Sequence, residues 1–262
     1  MSGPKRPSAH ALSDCLAQAH RTRTPAASTP WETALADAEQ AYAMQDRVAA
    51  AMGWLGTGPA RYWKSGGGSR QAPLTHAALP PHGVRNSPAD FADLALHLPG
   101  IEAEIALRLG CDVSTEQAAK LSHHDAIQLI DALCVSVEVV ASRWVEGGAA
   151  PALLRLADLQ SHGALALGVW QPFTGFAAHD WSKQQCTVRV GEQPATEHVG
   201  SHPLGDPTWV LPAWLRHLTR HGAKATAGTV VTTGTWCGLI ATQRGDQISV
   251  SFAGIGAVEL RL

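Results

Sequence analysis

The segment "IEAEIALRLG", residues 101–110, sets two glutamates two positions apart in a run that is otherwise almost wholly apolar. Successive side chains of a strand alternate faces, so Glu102, Glu104 and Ala106 share one face while Ile101, Ala103, Ile105 and Leu107 share the other. The apolar face demands a core. If the acidic face is open to water, the glutamates are ordinary solvated residues of a half-buried strand. If that face is enclosed, the two like charges repel, and one takes a proton unless a cation sits between them. A hard divalent ion would resolve the conflict.

The setting is a chain of 262 residues with a net charge of -2 and no long basic run. That length buries a large core in one domain or two small ones. The charge speaks against nucleic acid or an anionic membrane as the main partner and for a small molecule. The opening "MSGPKRPSAHALSD" has basic residues without an apolar segment behind them, and the chain holds no apolar run of membrane-spanning length. A soluble, unexported protein is expected. Its five cysteines, Cys15, Cys111, Cys134, Cys186 and Cys237, are odd in number and lack a C-x-x-C pair, which argues for reduced thiols in a cytoplasm rather than a disulfide framework or a zinc knuckle.

Residues 1–60 read as a helical N-terminal segment packed on a β-rich body, 61–262, the two forming one structural unit. Ala and Leu recur at helical spacing over 9–22. "TPWE", Thr29 to Glu32, has the pattern of a capping box with proline at the first helical position, and predicts a helix from Trp31 to Gly53. Farther on, Ser122 and Asp125 predict a second cap, Asp206 and Pro207 a third helix start, and Pro212 a kink or late start within that helix. His123 and His124 then fall in a first helical turn and point in different directions, as surface residues do. "GALALGVW", "CTVRVG", "GTVVTTGTWCGLI" and "QISVSFAGIGAVELRL" read as strands, with a hairpin tip at Gly245 and Asp246.

Two further charged residues stand out. Lys64 precedes three glycines in "YWKSGGGSR", a run that either lets backbone approach a ligand or makes a flexible turn. Glu138 lies in the β-branched run "CVSVEVVASRW", where it is either edge-exposed or buried with a partner. Trp63, Trp170, Trp209 and Trp236 lie near these segments and either line an apolar pocket or pack in the core or a subunit interface.

Taken in order, "AYAMQ", Lys64, "EAEIALRLG", "VEVVASRW", "ADLQSHGALALG" and "GDPTWVLPAWLRHLTRHG" through "GIGAVELRL" resemble the hydratase and decarboxylase branch of the fumarylacetoacetate hydrolase superfamily, typified by 2-keto-4-pentenoate hydratase. The resemblance runs from about residue 30 to the end. It implies an α+β fold, a mixed β-roll with flanking helices, and a homo-oligomer. It also implies Mg²⁺ or Mn²⁺ held by Glu102, Glu104 and Glu138, with Lys64 as the catalytic proton carrier. Ser161, in "ADLQSHG", and Thr235, in "TGTWCG", match residues that hold substrate in relatives, while Arg70 and His82 are candidates for a second carboxylate or a distal acid. Three oxygen ligands leave open positions for a bidentate 2-oxo acid, and such an ion stabilises its enolate as a Lewis acid, lowering the pKa of a lysine beside it.

The chain departs from the family's K-I-G-x-T-S with "KSGGGSR", and carries Ala141 where "VDSR" has aspartate. These changes fall where substrate tail and water would sit. Four functions are therefore open. Hydration of a 2-hydroxy-2,4-dienoate or 2-oxo-3-enoate to a 4-hydroxy-2-oxo acid in aromatic catabolism leads. Decarboxylation of a 2-oxo-3-enedioate would need a basic group for the second carboxylate. Hydrolysis of an acylpyruvate would need a Glu and His pair to activate water. A non-catalytic metal-binding scaffold is the fourth.

Overall fold

The computed structural model describes residues 8–262 apart from 57 and 177. Two β-sheets face each other across the main core. The larger sheet has nine strands and is built around two long neighbours, β5 (Gly100–Leu109) and β6 (Ile130–Val140). Beyond β5 lie β11 (Val230–Thr232), β1 (Tyr62–Gly66) and β2 (Thr75–Ala78). Beyond β6 lie β7 (His162–Leu167) and β3 (Val84–Asn86). Two short strands extend it, β12 (Ile240–Ala241) along β5 and β8 (Gln171–Pro172) along β6. The smaller sheet runs β10 (Thr196–Val199), β9 (Gln185–Val190), β13 (Gln247–Phe252), β14 (Gly256–Arg261) and β4 (Ala89–Asp90).

Period-two alternation explains how the sheets meet. Ile101, Ala103, Ile105 and Leu107 are fully buried and pack, with Val135, Val137 and Val139 of β6, against Val188, Val250, Phe252, Val258 and Leu260 of the smaller sheet. The opposite face of β5 is also covered, since Ala106 is fully buried beside Ala77, Leu79 and Leu165 and Glu104 is only 2 % exposed. The glutamates therefore lie on an enclosed face, which decides between the two sequence readings.

Helices α1 (Ala9–Thr22) and α2 (Ala38–Met52) pack with α5 (Ala152–Ala157) around Leu12, Leu16, Tyr42, Met44, Val48, Leu154 and Trp144, a second core of their own. Gln45 of α2 ties this layer to the body by donating to the carbonyl oxygens of Leu156 (2.7 Å) and His76 (3.2 Å). The short helices α3 (Thr115–Lys120) and α4 (His123–Ile127), together with α6 (Leu211–Leu218), cover one end of the larger sheet. None of the described helices is long and apolar enough to cross a membrane.

Several local expectations hold. Ser122 and Asp125 form a capping box, α6 starts late with Pro212 in its first turn after a 3₁₀ turn at Pro207–Val210, and Gly53 ends α2 in the left-handed conformation (φ 66°). Two do not. Thr29–Trp31 is a lone 3₁₀ turn without a side-chain cap, and α2 begins only at Ala38, because the Asp37 carboxylate accepts from the Gln40 amide at 2.9 Å. The turn at Gly245 joins no hairpin, since Ile240–Ala241 pairs with Gly100–Ile101 in the larger sheet. The turn carries the chain from one sheet to the other.

His76 on β2 is buried against Tyr42 and His217, with Ser65 Oγ 2.9 Å from its Nδ1. Burial, with a smaller contribution from Arg220, holds it down to about 3. The folded state therefore binds fewer protons here than the unfolded state below pH 6.5, so this contribution to stability is present above pH 6.5 and is lost as pH falls toward 3. Between pH 7 and pH 5 the wild type is expected to lose about 2 kcal/mol more than His76→Asn, at about 1.36 kcal/mol per pH unit below 6.5. Urea unfolding of both proteins at the two pH values isolates this group from every other titration, and parallel losses would refute the assignment.

Candidate active site

The register of β5 against β6 sets Glu102 directly opposite Glu138 and Glu104 opposite Ser136. Side chains two apart on one strand share a face, so three carboxylates and a hydroxyl converge above the sheet. Strand β1 reaches the same place through β11, with Lys64 beside Thr232 and Thr232 beside Ala106. Each glutamate offers one oxygen, and these oxygens lie within 4.8 Å of one another.

Burial makes the charge balance severe. Glu138 is fully buried, and its Oε1 accepts from Lys64 Nζ at 2.6 Å and from His162 Nδ1 at 2.9 Å. Burial works to raise that carboxyl, yet the Lys64 ammonium and His162 together hold it below the ordinary glutamate range. Its second oxygen, Oε2, is buried without a partner. Glu102 is raised chiefly by burial, and Glu104 is pushed up to about 8 by burial and by the charges of Glu138 and Glu102. The Thr232 hydroxyl hydrogen-bonds Glu104, and the Ser136 hydroxyl lies 2.8 Å from that of Thr232. Lys64 would be lowered by burial, but the three glutamates raise it overall. The lowering expected of Lys64 concerns a metal ion beside it; without one, the lysine is itself the cation that the carboxylates surround.

The donor set fits a hard divalent ion. Three oxygen donors converge, one buried carboxylate oxygen lacks a partner, and a single lysine leaves the three acids short of positive charge. Glu102, Glu104 and Glu138 could hold such an ion. A check is available on the metal-free protein. Glu104 keeps a proton to about pH 8 when folded but only to about 4.5 when unfolded, so its contribution to stability falls as pH rises from 4.5 toward 8. Glu104→Gln is accordingly expected to raise metal-free stability at pH 7.5 by about 1–3 kcal/mol, on the order of the shift at 1.36 kcal/mol per unit. A destabilised variant in urea titration would contradict it.

Next to the carboxylates opens a cavity of about 350 Å³, walled by Lys64, Glu102, Glu104, Thr232, the Gly66–Gly68 run and Pro203. Of these glycines Gly67 packs closely on the chain that follows, since a Cβ there would meet Leu74 at 2.9 Å and the Pro73 carbonyl oxygen at 3.3 Å. Thr235 also lines the cavity, its hydroxyl donating to the Gly238 carbonyl at 3.0 Å.

The remaining sequence candidates sit elsewhere. Ser161 is buried and off the cavity wall, whereas its neighbour Gln160 lines it. Leu159, Gln160 and Ser161 adopt three successive left-handed conformations (φ 51°, 57° and 60°), which turn the Gln160 carbonyl toward Lys64 Nζ (3.4 Å) and its side-chain amide onto Thr75. Arg70 is exposed, donates to the Leu204 carbonyl at 2.6 Å and stacks on Trp209 at 4.2 Å, off the cavity wall. His82 lines a different cavity altogether. None of Trp63, Trp170, Trp209 and Trp236 lines the carboxylate cavity; Trp63 and Trp236 belong to the core between the sheets. His123, partly buried, lies 2.8 Å from the Thr208 hydroxyl.

Sequence reasoning missed Gln160, Thr232 and His162. A left-handed run without glycine leaves no trace in composition, whereas His162 follows Ser161 directly and lies on β7 with Leu165, the partner of Glu138, so strand pairing could have found it.

Comparisons with known proteins bear on the family and the fold. The family model "Fumarylacetoacetate (FAA) hydrolase C-terminal" matches residues 57–262. A 2-keto-4-pentenoate hydratase of Paraburkholderia xenovorans (strain LB400) and 2-keto-4-pentenoate hydratase 3 of Pseudomonas putida are each 30 % identical over 164 residues. Those matches take in 62 % of this chain and 58 % of each relative, less than two thirds of their length. 2-keto-4-pentenoate hydratase 1 of Dechloromonas aromatica (strain RCB) is 28 % identical over 239 residues, covering 86 % of both chains. The structure of 4-oxalocrotonate decarboxylase from Pseudomonas putida G7, complexed with magnesium and adipate, shares the fold with a TM-score of 0.82 at 20 % identity over 97 % of this chain and 96 % of that one. The two-sheet body, its helical N-terminal layer and the match over residues 57–262 place this chain in the fumarylacetoacetate hydrolase family.

Proposed function

We propose that the chain is a divalent-metal-dependent hydratase, which converts a 2-hydroxy-2,4-dienoate, through its 2-oxo-3-enoate tautomer, to a 4-hydroxy-2-oxo acid. The observation that carries this reading is the enclosed cluster of Glu102, Glu104 and Glu138 with Lys64 at the wall of a cavity. The relatives named 2-keto-4-pentenoate hydratase support it.

Glu102, Glu104 and Glu138 are the residues that would hold Mg²⁺ or Mn²⁺. When bound, such an ion supplies Lewis-acid polarisation of a 2-oxo group and lowers the cost of the enolate. The protein's own residues handle the proton. Lys64 Nζ is fixed by Glu138 Oε1 and the Gln160 carbonyl, and it faces the cavity as an ammonium that can give a proton to carbon and take one from the enol hydroxyl. The Gly66–Gly68 backbone and Pro203 form part of the cavity wall beside Lys64.

Lining chemistry favours hydration over its rivals. Among the described residues, Lys64 is the one cationic side chain of the cavity wall, and it is engaged by Glu138. A second substrate carboxylate, as in a 2-oxo-3-enedioate, would find no free cationic side chain on this wall. The Glu138 and His162 pair does not serve a hydrolase either, because His162 is off the cavity wall.

The test is unfolding of wild type and Glu102→Gln with Mg²⁺ and oxalate, a mimic of a 2-oxo acid. Together the ligands at a hundred times the dissociation constant are expected to stabilise the wild type by about 2.7 kcal/mol and the variant much less. Equal responses, or none, would overturn metal binding by these glutamates. Turnover of 2-hydroxypenta-2,4-dienoate then separates hydratase from scaffold.

A further inference from the structure

The neutral polar side chains on the wall of the carboxylate cavity are Ser65, Thr75, Gln160, Thr232 and Thr235. Four of them are hydroxyls that the protein itself engages. Ser65 Oγ lies 2.9 Å from His76 Nδ1, and the Thr232 hydroxyl hydrogen-bonds Glu104. The hydroxyls of Thr75 and Thr235 donate to the carbonyl oxygens of Gly66 (3.4 Å) and Gly238 (3.0 Å). Gln160 differs. Its side-chain nitrogen donates to Thr75 Oγ1, whereas its Oε1 has no partner among the described residues and is not closed off from the surface. Thr75 also decides which way the amide points. Its one hydroxyl hydrogen goes to Gly66, so its oxygen meets Gln160 as an acceptor and takes the nitrogen end. The acceptor end is left over, on a half-buried side chain that lines the cavity.

The backbone keeps this side chain in place against its own preference. Left-handed geometry is unfavourable for residues other than glycine, and here it occurs three times running, at Leu159, Gln160 and Ser161. The run sets Gln160 across the site, with its carbonyl oxygen 3.4 Å from Lys64 Nζ and its side chain on Thr75. Thr75 pairs with Gly66, two residues along β1 from Lys64. Two strand residues span roughly 6–7 Å, so a substrate with its 2-oxo group at Lys64 extends its carbon chain within reach of the amide. A side-chain amide takes no proton near neutral pH. It can orient a water but cannot deprotonate one.

We propose that Gln160 is the water-positioning residue of the hydration step, its Oε1 accepting from the water that adds to C4 and afterwards from the 4-hydroxyl of the product. The water oxygen bonds to C4, and the C3=C4 electron pair moves toward C2 as the 2-oxo group becomes an enolate. C3 then takes a proton from the Lys64 ammonium, and the added oxygen returns one to the lysine amine, so one water is gained and the lysine is restored. Thr75 acts through Gln160 by holding the amide with its oxygen outward. This assignment rests on the hydratase reading above, but its main test needs no turnover.

That test compares the binding of 4-hydroxy-2-oxopentanoate and 2-oxopentanoate, titrated calorimetrically in the presence of Mg²⁺. The two differ only in the hydroxyl. The wild type is expected to bind the hydroxy acid about tenfold more tightly, the worth of one hydrogen bond in an enclosed site. Gln160→Met, which keeps the length and removes the acceptor, is expected to bind both alike. Thr75→Val, which leaves Gln160 in place but frees its amide to turn, is expected to cut the preference to within a few-fold. A merely structural role for Gln160 would weaken both ligands together and leave their ratio intact. In turnover, Gln160→Met should let the 2-oxo-3-enoate accumulate, since the water step slows after the enone has formed. If neither oxo acid binds the wild type, the metal reading falls and this assignment falls with it. If both bind the wild type equally, or the full preference survives in either variant, the metal reading stands and the role of Gln160 is overturned.

Discussion

Lys64→Met is expected to lower turnover of a 2-hydroxy-2,4-dienoate by about 10²–10⁴-fold, the usual contribution of a positioned proton carrier. The ammonium lies 2.6 Å from Glu138 and 3.4 Å from the Gln160 carbonyl, and among the described residues the cavity wall has no second cationic side chain to replace it. Stability should change as well, because the fully buried Glu138 carboxylate loses the one cationic partner, apart from the His162 ring, that lies within 4.0 Å among the described residues. The two effects are separable. If the loss of turnover came from unfolding, the variant would show a collapsed urea midpoint, and a stabilising osmolyte would restore turnover. If Lys64 carries the proton, the variant stays folded, binds Mg²⁺ and oxalate, and remains slow. Wild-type turnover in a folded Lys64→Met protein would remove Lys64 from the mechanism.

Glu138→Ala should destabilise the metal-free protein by about 3–5 kcal/mol, the cost of removing one partner of a buried ion pair. It strips the acceptor from Lys64 Nζ and from His162 Nδ1 at once, and leaves both donors in a site where Glu138 itself is fully buried. Glu138→Gln keeps an oxygen in reach of both donors and should cost clearly less. The contrast with Glu104→Gln is the sharper test, because the same cluster should respond in opposite senses. Glu138 is held ionised by Lys64, whereas Glu104 is held protonated by burial and by its acidic neighbours. Urea midpoints for the three variants decide it, and destabilisation by all three alike would mean that the cluster is simply intolerant of change.

Much of this site is legible in the amino-acid order. Alternation alone puts Glu102 and Glu104 on one face, and the ordered resemblance brings Glu138 and Lys64 to them. The supporting residues are not legible there. Gln160 enters the site only because three left-handed residues turn the chain after α5, and the "ADLQS" that carries them contains no glycine to signal that turn. Arg70 and His82 look available as charges but are held on other surfaces by Leu204, Trp209 and the second cavity.

What the amino-acid order determined by itself is local: the two-residue period of β5 and β6, the caps at Ser122 and Asp206, and the stop at Gly53. These follow from backbone geometry and from hydrogen bonds that span at most a few residues. It did not decide where α2 begins: "TPWE" has the pattern of a start, yet the Asp37 side chain caps the helix instead. Nor did it decide whether the acidic face meets water or protein. That required strand pairing across 36 residues, from Glu102 to Glu138, and a covering layer drawn from β1, β7 and the helices. Only when those distant segments shut out water do three carboxylates, one lysine and one histidine become an electrostatic problem, and the cost of burying like charges turns a strand face into a site.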